Sequence, residues 1–437
     1  MSYSGDMPVA YLGRNRITAI ALACALLLAA RPASAGPIFA AGARLFVIKT
    51  EHFDIIFSEP SRPSALRLST YAEEVYDEVA GKLETAIPAR IPVTITPDIG
   101  SFNGYTSPFP YMHIALYDTS LDLGWTSFAD NFRGLFLHEL THAVSLQIKA
   151  PWAEFLSGIF GSWVLPGYLI NTPAFMAEGV TVSFESADGL TGRANDPLVR
   201  QRVRQDIREN RFKTPIEASG LYDEYPFGRI YYEYGGLFSA YVQGAYGMGK
   251  YAELWRRMGE LLLPTSLDPY EVGFFKAFEK AYGIPFLKAW ADFRQWIHVD
   301  GLEDPPETLA APKGAQLPGG IAGDGEWLFW IDARTGRAMA TEGATGRSLG
   351  LFDASAKDSI SDASADALPG SGRLLVTRAL ALSDGRDRVE SLVYDLGSRR
   401  FERDTSVAGM REARFFRDGR VGIVSRLHDT DLAFASP

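Results

Sequence analysis

The residues best placed to do chemistry are His138-Glu139-Leu140-Thr141-His142. They sit in a stretch with helical patterning, Asn131 to Ile148. A helix puts positions i and i+4 on one face about one turn apart, so the two imidazoles can address a single metal ion. Glu139, beside the first of them, can then reach a water on that ion and serve as its general base, the chemistry of a zinc site. The chain has six His in 437 residues, so two of them framing a Glu at this spacing is far from what composition alone would supply.

A catalytic zinc takes three protein ligands and keeps a fourth position for water. Glu178 is the candidate third ligand. It follows His142 by 36 residues and lies in an apolar stretch from Ala174 to Phe184. A carboxylate there is costly unless it is paired or metal-bound. Glu185, seven residues on and two turns along the same face, is the rival ligand. Gly179 favours Glu178, because a glycine allows close backbone approach.

Further segments carry a resemblance. Asn103-Gly104-Tyr105 and Pro108-Phe109-Pro110-Tyr111 lead into the motif helix, Ala177-Glu178-Gly179 precedes Phe184-Glu185-Ser186, and Tyr232-Glu233-Tyr234-Gly235 opens an aromatic helix. With the His motif, these resemble the gluzincins, zinc peptidases whose third ligand is a downstream Glu on a second helix. More narrowly, they are similar to bacterial peptidase MA-like domains that precede β-propeller repeats. The likeness runs over about residues 45–298. It implies an α+β, thermolysin-like fold with a small sheet lobe and a helical lobe, a Zn2+ cofactor and a peptide or protein substrate. It also implies a role for Tyr232, whose Tyr-Glu-x-Gly setting matches the tyrosine that hydrogen-bonds the oxyanion in the aminopeptidase N group. A phenol donor suits that task, with Tyr231 or Tyr234 as substitutes. One departure stands out. The aminopeptidase N group reads a free amino terminus with a Gly-x-Met-Glu-Asn segment, and this chain has none. Its region from Tyr111 to Asp118 reads instead as a sheet-edge strand on which a substrate could lie, with His113 as a candidate contact. Cleavage within chains is therefore expected. An aminopeptidase, or a non-catalytic envelope scaffold binding through its β repeats, is the competing reading.

The elements that must position these residues can be traced from periodicity. Leu45, Val47, Phe53, Ile55 and Phe57 alternate as in strands, Leu66 to Leu83 has helical spacing, and Ile91 to Thr96 is a short β-prone run. Ser127 or Asp130 would cap the motif helix. Helices are then expected over Phe175–Glu185, Leu198–Arg208, Ile230–Tyr246, Tyr251–Leu262, Tyr270–Tyr282 and Pro285–Trp296. Trp152 to Ile170 is apolar and rich in Gly and Pro, and reads as a loop walling the cleft, with a membrane-touching flap as the second reading. Past Asp300 the composition shifts. Pro- and Gly-rich residues 301–322 read as a linker, and residues 323–437 read as β runs recurring at a blade-like spacing. That length holds fewer blades than a closed ring needs, so a partial, propeller-like domain is expected.

Arg14 and Arg16, the apolar run Ile17 to Ala30 and Ala33-Ser34-Ala35 read as a signal peptide over residues 1–35. A peptidase domain over 36–300 follows, in a secreted or periplasmic protein. Cys24, the single cysteine, falls inside the apolar run, so the exported chain would rely on packing rather than disulfides. The formal net charge is −10. The Arg-rich run from Arg200 to Arg211 is interleaved with Asp206 and Glu209 and reads as a solvated helix face. No basic stripe with interleaved aromatics occurs, which argues against a nucleic-acid partner.

Overall fold

The computed structural model describes residues 39–297, apart from short stretches (the longest within 119–127, 162–171, 221–227 and 261–272), and separate strands and turns between 322 and 435. The signal peptide and most of the 301–322 linker lie outside the described residues.

Residues 39–297 form an α+β unit. In β1 (Leu45–Lys49) and β2 (Phe53–Ser58) every second residue turns to one face, and Phe53, Ile55 and Phe57 are buried. With β3 (Ile91–Thr96), β4 (Gly104–Ser107) and β5 (His113–Tyr117) they build a five-stranded sheet in the order β1-β2-β3-β5-β4. β2 and β3, and β3 and β5, run parallel, whereas β1 and β4 pair antiparallel with their neighbours. One expectation is corrected here. The run from Tyr111 is not the sheet edge, because β5 pairs on both sides; among the described strands the edge on that side is the short strand β4, and β1 forms the other.

Helix α1 (Arg62–Leu83) buries Ala65, Leu68, Ala72, Val75, Val79 and Leu83, a three-to-four-residue stripe that packs on β2. Helix α2 (Asn131–Leu146) starts at Asp130, whose carboxylate accepts from the Arg133 amide at 3.1 Å, satisfying one of the helix's open donors. Next comes a second correction. Pro151–Phe160 is a helix, α3, rather than loop. Pro151 sits in its first turn, where the missing amide costs nothing. The rest of the stretch to Ile170 lies mostly outside the described residues.

Helices α4 (Ala174–Glu185), α5 (Pro197–Arg208), α6 (Pro215–Gly220), α7 (Ile230–Tyr246), α8 (Met248–Glu260), α9 (Phe274–Tyr282) and α10 (Phe286–Trp296) follow among the described residues. Their core is aromatic. Phe175, Phe238, Phe286 and Trp290 meet with ring centroids 5.0–6.0 Å apart. The Trp290 indole donates to the Lys213 carbonyl at 3.0 Å, so this large side chain is buried without an orphaned donor.

The strands beyond residue 322 form three antiparallel sheets. They comprise β6 to β9 (Ala322–Gly323, Trp327–Asp332, Arg337–Glu342, Ser348–Asp353), β10 to β14 (Ser364–Leu368, Arg373–Ala381, Asp387–Asp395, Arg400–Phe401, Val407–Ala408) and β15 to β17 (Met410–Phe415, Val421–Arg426, Ala433–Ala435). The sheets match the expected all-β character, and the described strands do not close into a propeller ring.

Candidate active site

α2 supplies half of the site. Leu135, His138, His142 and Leu146 recur every three or four residues and share one face with the adjacent Glu139, and that face lines a cleft of about 470 Å3. α4 brings Glu178 to the same place. Its Oε2 lies 3.1 Å from His142 Nε2 and 3.5 Å from His138 Nε2. One donor atom from each of the three residues lies within 4.8 Å of the other two. A tetrahedral zinc with bonds of 2.0–2.1 Å holds its ligand atoms roughly 3.3–3.4 Å apart. The two carboxylate–imidazole separations bracket that spacing, and two imidazoles with one carboxylate are a donor set that leaves a fourth position open. The three residues therefore fit a zinc ion.

The electrostatics point the same way. Burial opposes a charge on Glu178, yet His142 and His138 hold its carboxyl well below the usual carboxylate range. Burial and Arg193 oppose an imidazolium at His138, but Glu178, Glu185 and Glu139 outweigh them and raise it. In physical terms the three carboxylates create a place that favours a cation.

Glu185 is in the site but not in the ligand triangle. It is fully buried and faces the other nitrogen of His138, with Oε2 3.1 Å from Nδ1. Burial works against its charge, and Arg193 more than offsets it, so its carboxyl is pulled down to about 2. The Arg193 Nε donates to Glu185 Oε1 at 2.7 Å and its Nη2 to Oε2 at 2.9 Å. Such a bidentate pair makes a buried carboxylate tolerable. The Arg193 Nη2 also lies 2.7 Å from His138 Nδ1, a contact that suits only the tautomer with that nitrogen bare. A cation at Nε2 would put the ring proton on Nδ1, aim it at Glu185, and leave Nη2 to Glu185 alone.

A tight helix crossing joins Glu178 to Tyr232. A Cβ on Gly235 would stand 1.9 Å from the Phe175 carbonyl oxygen, and one on Gly179 would stand 2.5 Å from the Gly235 carbonyl oxygen. α4 and α7 thus meet backbone to backbone, which no larger residue permits at either position. Gly235→Ala is expected to destabilise the chain by about 3 kcal/mol, read as a lower denaturation midpoint at unchanged slope. An unaltered midpoint would mean that the crossing can open to admit a Cβ.

Tyr232 lines the cleft, its ring centroid 6.1 Å from that of His138 and its face 4.7 Å from the Arg193 guanidinium. Burial, with Glu178 nearby, raises its pKa, so the phenol keeps its proton. Tyr231 stacks against it at 4.5 Å. Tyr234 turns into the core, where its hydroxyl donates to Asp206 at 2.7 Å. His113 bonds the Tyr111 carbonyl through Nδ1 at 2.9 Å and does not line the cleft.

Two polar side chains of the described cleft lining, Arg193 and Thr106, carry no signal in the sequence. Arg193 lies in a turn, Arg193–Asn195, with no periodicity to expose it. Thr106 belongs to β4, which is four residues long and half polar.

No protein family's sequence profile matches the chain. A Treponema pallidum protein, described only as uncharacterized, is 32% identical over 272 residues, covering 61% of this chain and 22% of its own length. The chain thus spans about a fifth of that relative. Among solved structures, native yeast LTA4 hydrolase aligns at a TM-score of 0.35 and 12% identity, over 60% of this chain and 40% of that one. An aminopeptidase N family protein from Idiomarina loihiensis aligns at a TM-score of 0.35 and 12% identity, over 90% of this chain and 69% of its own. Likenesses this distant carry no argument about the chain's activity.

Proposed function

We propose that the chain is an exported zinc-dependent endopeptidase, with the metal held by His138, His142 and Glu178. The observation that carries this is the triangle of donor atoms at zinc spacing with Glu139 beside it on the cleft face of α2. A bound zinc would supply Lewis acidity, activating a water and polarising a carbonyl. Glu139 takes the proton of the attacking water and returns it to the leaving amine. Tyr232, protonated and at the cleft wall, donates to the oxyanion as it develops. Glu185 and Arg193 fix the His138 ring from behind.

The substrate lies along β4, an edge strand among the described strands, pairing its backbone with it. Cleavage within chains is supported by the sequence, which has no Gly-x-Met-Glu-Asn segment of the kind with which the aminopeptidase N group reads a free amino terminus. Export rests on the N-terminal apolar run of the sequence. Among the described residues no helix is long and apolar enough to cross a membrane.

The test compares internally quenched peptides with free and acetylated amino termini on the zinc-loaded protein. Both are expected to be cut at similar kcat/KM. Cleavage of the free-amine peptides alone would make it an aminopeptidase, and cleavage of neither, with zinc bound, would favour a binding role.

A further inference from the structure

We propose that Thr106 is a positioning residue for the general base, holding one oxygen of Glu139 so that the other performs the proton transfer. This rests on the peptidase reading above. The Thr106 hydroxyl lies 2.9 Å from Glu139 Oε2 and 2.7 Å from the Glu139 backbone carbonyl oxygen. It is a side-chain tie from the sheet to the base itself, made by a strand 33 residues away in sequence.

β4 is shaped around Glu139 at two points of one face. Residues i and i+2 of a strand point the same way, so Gly104 and Thr106 share the side that meets α2. A Cβ on Gly104 would stand 3.2 Å from Glu139 Cγ and 2.9 Å from the Ala115 carbonyl oxygen. The glycine leaves room for the carboxylate's stem and the threonine supplies its bond. Glu139 is 4% exposed, so its orientation comes from such neighbours rather than from bulk water.

The chemistry follows from one hydroxyl with one proton and two acceptors in reach. The backbone carbonyl is 0.2 Å nearer, but an anionic carboxylate oxygen is the stronger acceptor, so while Glu139 acts as base Thr106 donates to Oε2 and leaves Oε1 for the reaction. As water attacks, its O–H bond breaks and the proton goes to Oε1. The new C–O bond forms at the scissile carbon and the carbonyl electron pair moves onto its oxygen. When the C–N bond breaks, the amine takes the proton from Oε1 and the carboxylate is restored. Oε2 keeps its bond to Thr106 through both transfers. β4 thereby does two jobs with two sides: its outer edge receives the substrate backbone, and its inward side chain sets the base. A loss at Thr106 should fall on turnover and spare substrate binding.

The experiment uses full-length, zinc-loaded wild type, Thr106→Val and Thr106→Ser on an acetylated, internally quenched peptide that the wild type cleaves. Zinc per chain is measured on the same samples, and crystal structures of wild type and Thr106→Val are compared. Thr106→Val keeps the shape and removes the hydroxyl. It is expected to lower kcat about tenfold to a hundredfold, with KM changed less than about threefold and zinc unchanged. Its structure should show the Glu139 carboxylate displaced or spread over rotamers. Thr106→Ser, which keeps the donor, should restore kcat to within about threefold of wild type. The inference is overturned by an unchanged kcat in Thr106→Val, by a Thr106→Ser as impaired as the Val variant, or by loss of zinc accounting for the defect. A Glu139 carboxylate within about 0.5 Å of its wild-type place in the Val structure overturns it too. If the wild type cleaves no peptide, the peptidase reading fails, and the two crystal structures still decide whether Thr106 holds Glu139.

Discussion

Replacing Glu139 with Gln is expected to lower kcat by about 10²- to 10⁴-fold while zinc stays at one per chain. The two effects separate because Glu139 lies outside the donor triangle of His138, His142 and Glu178. Gln has the same length, and its amide oxygen can still accept from Thr106, so the side chain should keep its place. What it loses is the ability to take a proton. KM should move little, since substrate contacts along β4 are untouched. The measurement is kcat and KM on cleavable peptides alongside zinc content. Turnover within about threefold of wild type would remove Glu139 from the mechanism. Loss of zinc would instead show that the carboxylate helps to hold the metal.

That a single helix carries so much explains what could be read in the chain. His138, Glu139 and His142 declare themselves because a helix converts sequence spacing directly into a shared face. Glu178 is legible for a different reason, as a lone charge in an apolar helix beside a glycine, and α4 does approach α7 through that glycine. β4 escaped because it is four residues long, starts at a glycine and presents Thr and Ser, so alternation never becomes visible. The longer apolar run of β5 therefore reads as the edge, although the sheet encloses it on both sides. Gly158, Gly161, Pro166 and Gly167 give Trp152–Ile170 the composition of a loop, although Pro151 just before it sits in the first turn of α3, where a proline is a start signal. Glu185 shows the limit most plainly. Sequence places it on the same helix as Glu178 and cannot say which nitrogen of His138 each one faces. That depends on Arg193, which arrives from a turn with no periodicity of its own.

The distinction between these two acids yields the second large effect. Glu178→Gln is expected to weaken zinc binding by well over a hundredfold, and Glu185→Gln by about ten- to a hundredfold, the range of outer partners. Glu178 supplies the anionic member of the donor set, since both imidazoles bind as neutral groups. An amide oxygen in its place keeps the shape and loses the charge. Glu185 acts at one remove. With a cation at Nε2, its Oε2, 3.1 Å from His138 Nδ1, would receive that nitrogen's proton and fix the ring with Nε2 toward Glu178 Oε2, 3.5 Å away. Gln at 185 could still accept that hydrogen bond, but the largely enclosed Arg193 guanidinium would lose the carboxylate it holds through two bonds. The Glu185 variant should therefore also lose folding stability, whereas much of the Glu178 defect should be confined to the metal. Zinc affinity from chelator competition and denaturation midpoints of the metal-free proteins separate the two. If zinc affinity falls further in the Glu185 variant, the roles are reversed and the carboxylate two turns along α4 is the ligand.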